Sequence, residues 1–245
     1  MRRLLIRPGA IGDFIVSLPA LEALRAAYTE VWCAEQNVPL AKFADRALSL
    51  GTSGLNRLGL LPADETIARL HSFDSIVSWS ATGREELLRL GLPVTFLPAL
   101  PPHGSHATSW YNQQARQLGA ARITWNPSIS CPQRQRTFAA IHPFASSPAK
   151  RAPLELFRQH AARLAEHMPV HWLAGPDEDL PGAIRIPNLY DLACWLAGAK
   201  VYLGNDSGIS HLAAAVGTPT LALFTATKPR DWSPRGTVHA VRLSM

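Results

Sequence analysis

The chain has 245 residues, room for one large domain or two small ones. Hydrophobic residues make up 47% and charged residues 17%, which excludes a disordered chain. The formal charge of +6 suits an anionic ligand or surface, or a basic solvated exterior.

The first half opens on the apolar run Leu4–Ile6, a predicted strand, followed by the loop RPGAIGD. FIVSLPALEALRAAY (14–28) carries Phe14, Leu18, Leu21 and Leu24 at helical spacing and predicts an amphipathic helix, with Pro19 in its first turns. EVWCA (30–34) and DSIVSW (74–79) predict strands. GREELLRLG (83–91) predicts a short helix stopped by Gly91, and HATSWYNQQARQLG (106–119) the last helix of this half. ITWNPSISCPQRQR (123–136) predicts a linker. Beyond it TFAAIHPF, VHWLAG, VYLGN and TPTLALF predict strands. PLELFRQHAARLAEHM, LYDLACWLAGA and SGISHLAAAVG predict the helices between them. Strands alternating with helices imply an α/β fold with parallel sheets, and near-continuous apolar strands imply sheets covered on both faces. The predicted domains are 1–130 and 131–245.

Cys33, Cys131 and Cys194 are far apart and lack CxxC spacing, which argues against a disulfide framework or zinc site and for a reducing compartment. MRRLLIRPGAIGDF lacks the apolar core and cleavage site of a signal peptide. No run approaches the ~20 apolar residues of a spanning helix; Leu212–Phe224 comes nearest, broken by Gly217 and Pro219.

Four strand-to-helix junctions carry polar residues, and ligands of parallel α/β sheets sit beyond the carboxyl ends of the strands. In VYLGNDSGISHLAAA, a helix beginning near Ser207 leaves its first N–H groups unpaired and its dipole positive. Ser207 adds a hydroxyl and Gly208 allows close approach, which suits a phosphate; alternatively Asp206 or Ser207 caps the helix. His211 lies one turn further, either a packed histidine or part of the anion site. In RPGAIGD, Gly9 and Gly12 permit close approach of a backbone or ligand, and Asp13 is a cap or a functional carboxylate. The loop is not GxGxxG, and no GxxxxGK[ST] exists, so hydride transfer and P-loop chemistry are disfavoured. HPFASSPAKRAP offers the hydroxyls of Ser146 and Ser147 and the cation Lys150, suited to a diphosphate or merely solvated in a turn. GPDEDLP offers acids past a strand, where ribose hydroxyls can bind; Asp177 and Asp179 also spell DxD, a pattern of some metal-dependent sugar transferases.

In this order the four pieces resemble glycosyltransferase family 9, the ADP-heptose:lipopolysaccharide heptosyltransferases and their relatives. The resemblance covers the first ~27 residues and most of 137–236. LYDLACWLAGAKVYLGNDSGISHLAAAVGTPTLALFTATKPRDWSP carries it most strongly. It implies a GT-B architecture, two Rossmann-like domains facing across a cleft, and inverting transfer from a nucleotide sugar without a metal or other cofactor. It implies Asp13 as general base, Ser146, Ser147 and Lys150 on the diphosphate, and Glu178 near the ribose. Asp206 would contact the donor sugar, Ser207 and Gly208 the phosphate, with His211 behind them. The implied partners are a nucleotide sugar, foremost ADP-heptose, and an anionic glycolipid or lipopolysaccharide-core-like acceptor, met by a cytoplasmic protein peripheral to the inner membrane. No nucleic acid partner is expected. The chain departs from the family in having Ala152 where a tryptophan often stands and Thr225 where glycine is usual. It also departs in its shorter first domain and in closing on VHAVRLSM with no room for a returning helix. A non-catalytic nucleotide-sugar-binding protein and a nucleotide-sugar epimerase are the alternatives on the same fold.

Overall fold

The computed structural model describes residues 1–60 and 62–243, so the last two residues of VHAVRLSM lie outside it. In the first lobe the order is β1 (Arg2–Arg7), α1 (Ile11–Ala23), β2 (Tyr28–Cys33), β3 (Arg46–Ser49), α2 (Asp64–His71), β4 (Ser75–Ser78), α3 (Arg84–Arg89), β5 (Val94–Phe96) and α4 (Ala107–Gln117). In the second it is β6 (Phe138–His142), α5 (Leu154–Ala165), β7 (Val170–Trp172), α6 (Leu189–Leu196), β8 (Ala199–Asn205), α7 (Gly208–Ala215), β9 (Thr220–Phe224), α8 (Pro229–Trp232) and β10 (Val238–Arg242). The strands form two five-stranded sheets, ordered β3-β2-β1-β4-β5 and β10-β9-β8-β6-β7, and every pairing in them is parallel. These are two Rossmann-like α/β units in a GT-B-like arrangement. Leu4, Leu5 and Ile6 in β1 and Ala139, Ala140 and Ile141 in β6 are fully buried, because helices cover both faces of each sheet. No helix among the described residues is long and apolar enough to cross a membrane.

The predicted elements are present, with shifted ends. Helix α1 begins at Ile11, so Pro19 lies about two turns inside it. Its ring is buried against the core, and one intrahelical hydrogen bond is forgone. Tyr28 opens β2 instead of closing the helix, because it pairs with Arg2 in register and the Arg2 guanidinium sits 4.1 Å over its ring. Strands β3, β5 and β10 and helices α2 and α8 were not predicted. Residues 120–137 form no helix or strand. They are pinned to the second lobe by Ile129 N–H to Ala215 O (2.9 Å) and by Arg136 to Gly217 O (2.7 Å).

The lobes meet where α1 and α7 begin. A Cβ on Gly208 would lie 2.6 Å from Ile11 Cβ and 2.9 Å from the Gly12 backbone nitrogen. A Cβ on Gly12 would lie 3.5 Å from Gly208 Cα. A second bridge runs from the cap of α4: His106 Nε2 donates to Ser233 O at 2.9 Å, while its Nδ1 accepts from the Thr108 N–H and from Arg235. That pattern fixes the neutral tautomer. Burial likewise lowers the His106 pKa, with Arg235 adding to the effect and the Ser233 carbonyl and Asp231 opposing it. Gly208→Ala should destabilise the fold by about 1–3 kcal/mol, since backbone must move to admit the methyl; urea unfolding would measure it.

Candidate active site

Sheet order reverses between β1 and β4 in the first lobe and between β6 and β8 in the second. Ligand crevices of open α/β sheets form at such reversals, beyond the strand ends. A cleft of about 660 Å³ lies between the two. The first lobe supplies Ala10, Ile11, Gly12, Asp13 and Gln36; the second supplies Ser146, Lys150, Glu178, Asp206, Ser207, Gly208 and His211, with His142, Arg185 and Trp232.

On the first-lobe side the helix cap is Ala10, not Asp13. Asp13 is the third helical residue, and its Oδ2 accepts the Ala10 N–H at 3.1 Å while the residue faces the cleft. Gly9 lies outside the cleft lining. Its φ of 118° folds the loop back, and a Cβ there would lie 2.9 Å from Asp13 Cβ. Gly12 admits the second lobe's backbone. Beneath the loop sits Arg7, only 2% exposed. Its guanidinium donates to Ser17 Oγ (3.1 Å), Pro8 O (2.6 Å), Asp13 O (2.8 Å) and the Tyr111 hydroxyl (2.8 Å). Burial lowers its pKa, and Tyr111 and Asp13 oppose that. One cation thus fixes the end of β1, the first turns of α1 and α4 together.

On the second-lobe side Asn205, fully buried, ties β8 to the loop after β6: its Nδ2 donates to Pro143 O (2.8 Å) and its Oδ1 accepts the Ala152 N–H (2.9 Å). That loop carries Ser146 and Lys150 into the cleft. Ser147 is not part of the lining; it starts the short turn Pro148–Lys150, its carbonyl accepting the Lys150 N–H at 3.1 Å. Lys150 Nζ lies 3.0 Å from Asp206 Oδ2, and the Thr227 hydroxyl donates to the same oxygen. Thr225 donates to Ala149 O at 2.6 Å, joining the loops after β6 and β9.

Neither expected cap of α7 is made. Ser207 occupies the cap position without a side-chain cap bond, and Asp206 is turned to Lys150 and Thr227. The Ser207 carbonyl takes the Ser210 N–H at 3.1 Å, while the N–H groups of Gly208 and Ile209, both residues of the cleft lining, have no capping side chain from either. The close approach at Gly208 is made by α1 of the opposite lobe. His211 is buried, its ring 3.3 Å from where a Gly12 Cβ would stand. Burial pulls its pKa down to about 4; Asp206 opposes this, and His106 and Lys150 add to it, so the ring is neutral near neutral pH.

Glu178 faces the cleft while Asp177 and Asp179 on either side point to solvent. Its Oε2 accepts from Gly175 N–H (2.6 Å) and His142 Nε2 (2.9 Å). Burial alone would raise the Glu178 pKa; the hydrogen bonds from His142 and Gly175, with the charge of Arg151, outweigh it and lower the pKa. The DxD pair is thus split by geometry, and no group of three or more His, Cys, Asp or Glu that could hold a metal occurs among the described residues.

Arg7, His142 and Thr227 escaped sequence reading. Each acts through a partner remote in sequence, Thr227 through Asp206 and Arg7 through Tyr111. The only local signal is Arg7 directly after the buried apolar run Leu4–Ile6.

Residues 104–243, more than half of the chain, match the model of glycosyltransferase family 9 (heptosyltransferase). The chain belongs to this family. A search of curated proteins returned no match. Among solved structures, E. coli ADP-heptose LPS heptosyltransferase II aligns over 100% of this chain and 91% of its own, with TM-score 0.77 and 18% identity. E. coli heptosyltransferase WaaC with ADP aligns over 100% and 94%, with TM-score 0.75 and 17% identity. A family 9 glycosyltransferase from Veillonella parvula aligns over 99% and 86%, with TM-score 0.74 and 18% identity. At such identities the likeness is one of fold.

The His211 shift has a consequence for stability. An unfolded histidine titrates near 6.5 and the folded one near 4, so its contribution is fully present above about pH 6.5 and is lost as pH falls toward 4. The loss is on the order of 3 kcal/mol. Urea unfolding across this window should show it, and His211→Gln should flatten that part of the profile.

Proposed function

We propose that this family 9 glycosyltransferase moves a sugar from a nucleoside-diphosphate donor to a hydroxyl of a glycolipid, with inversion and without a metal. ADP-heptose is the foremost donor. The observation that carries this reading is one cleft lined by Asp13 from one lobe and by Lys150, Asp206 and the start of α7 from the other.

The chemistry follows from that opposition. An acceptor hydroxyl is a poor nucleophile, and Asp13 is the base that takes its proton as the oxygen attacks the anomeric carbon. Attack comes from the first lobe and the diphosphate departs toward the second, so the new bond forms on the face opposite the breaking one. Negative charge then grows on the leaving diphosphate. The N–H groups opening α7, the hydroxyls of Ser146 and Ser207 and the ammonium of Lys150 meet it with preset dipoles. Ser147, outside the lining, has no direct part. Glu178, held by His142, is positioned for ribose hydroxyls, and neutral His211 backs the phosphate site without adding charge.

We assign residues 1–130 to the acceptor side and 131–245 to the donor side. The net charge of +6 supports attraction to an anionic glycolipid at the cytoplasmic membrane surface.

Asp13→Asn should lower kcat by about 10²–10⁴-fold and leave nucleotide affinity unchanged; steady-state kinetics with calorimetry would measure both. A thermal-shift panel of ADP-, UDP-, GDP- and dTDP-linked sugars should single out the ADP-linked compound, since a ligand stabilises by RT ln(1 + [L]/Kd).

A further inference from the structure

The cation that should receive a diphosphate is already engaged. Lys150 Nζ lies 3.0 Å from Asp206 Oδ2, with the lysine side chain 30% exposed and the carboxylate 5%. The carboxylate is held there from two directions. The Asp206 N–H donates to Leu223 O in β9 at 2.8 Å, and the Thr227 hydroxyl donates to Oδ2. Arg242 in turn donates to the Thr227 carbonyl. The first bond fixes the Asp206 backbone at the end of β8, and the second must break before the carboxylate can swing away from Lys150.

A ligand entering the cleft meets three carboxylates, those of Asp13, Glu178 and Asp206, against two full cations, Lys150 and Arg185. A bare nucleoside diphosphate brings only acceptors to the phosphate site, so it must compete with Asp206 for Lys150 and bear the repulsion of the carboxylate. A diphosphate that carries a sugar also brings hydroxyl donors, which a carboxylate accepts with charge-assisted strength.

We propose that Asp206 is a specificity-determining residue: its carboxylate competes for Lys150, weakens the binding of bare nucleoside diphosphate and favours the sugar-bearing form. Transfer of the sugar removes the hydroxyls that compensated Asp206, so the nucleoside diphosphate produced is held less firmly than the donor was. This rests on the donor reading above.

Isothermal titration of ADP, UDP and GDP into the wild type, Asp206→Asn, Lys150→Ala and the double variant tests it. Asparagine keeps the shape and an acceptor for Thr227, and Asp206→Ala is a second neutral replacement. Asp206→Asn should tighten the diphosphate that binds by roughly tenfold. In the Lys150→Ala background the same change should give less than about threefold. Unchanged or weaker binding in both neutral variants overturns the proposal, and so does an equal gain with and without Lys150. If none of the three diphosphates binds the wild type or any variant, the donor reading itself fails, a result distinct from binding that ignores Asp206.

Discussion

The site depends on a contact that two glycines make possible. Gly12 and Gly208 let the first turns of α1 and α7 close on each other, with the Gly12 backbone and the Ile11 side chain against Gly208 and the His211 ring against Gly12, and that contact sets the distance between the lobes. It also brings two helix N-termini, each the positive end of its dipole, to one cleft. The two ends are used differently. At α1 the third residue is Asp13, whose carboxylate satisfies the N–H of Ala10 and sits in a favourable field. At α7 neither Ser207 nor Asp206 caps the helix, so its N–H groups keep their capacity for an outside anion. One helix thus presents a held carboxylate and the other a held deficit of negative charge, across a gap fixed by glycine.

Buried polar ties make this arrangement rigid. Arg7 and Asn205 play matching parts in the two lobes, each under the loop after the first strand of its sheet. Both satisfy loop backbone groups that would otherwise be buried without partners. The solutions differ in chemistry. Asn205 uses one donor and one acceptor, whereas Arg7 uses donors alone and keeps a full charge close to Asp13. A loop that must hold a carboxylate at the cleft is therefore built over a cation.

Much of this was legible in the chain. The run VYLGNDSGISHLAAA shows its strand, its turn and its helix because a central strand is continuously apolar and the junction is abruptly polar. The same holds for β1, α1 and β6. By contrast β3, β5 and β10 are edge strands of three to five residues, paired on one side, and the sequence carries too few positions to show a period. At the cleft, the polar residues at strand ends are visible in the sequence and their pairings are not. Lys150 and Asp206 were legible as separate polar groups, but their ion pair depends on a β6 loop meeting the end of β8. Ser147 and Ser146 are adjacent and alike in sequence; only the turn at Pro148 decides which of them faces the cleft.

Each sheet draws on a single unbroken length of chain: the first on residues 2–96, the second on 138–242. No strand is borrowed across the divide. A ribosome would therefore release every strand of one sheet before making any of the other, and α4, which follows, packs on α1 of the same lobe. The glycine junction needs α1 and α7, which lie on opposite sides of that divide, so it joins two lengths of chain made at different times. The cleft exists only where the two units join, and an error at that junction would leave no place for chemistry between them.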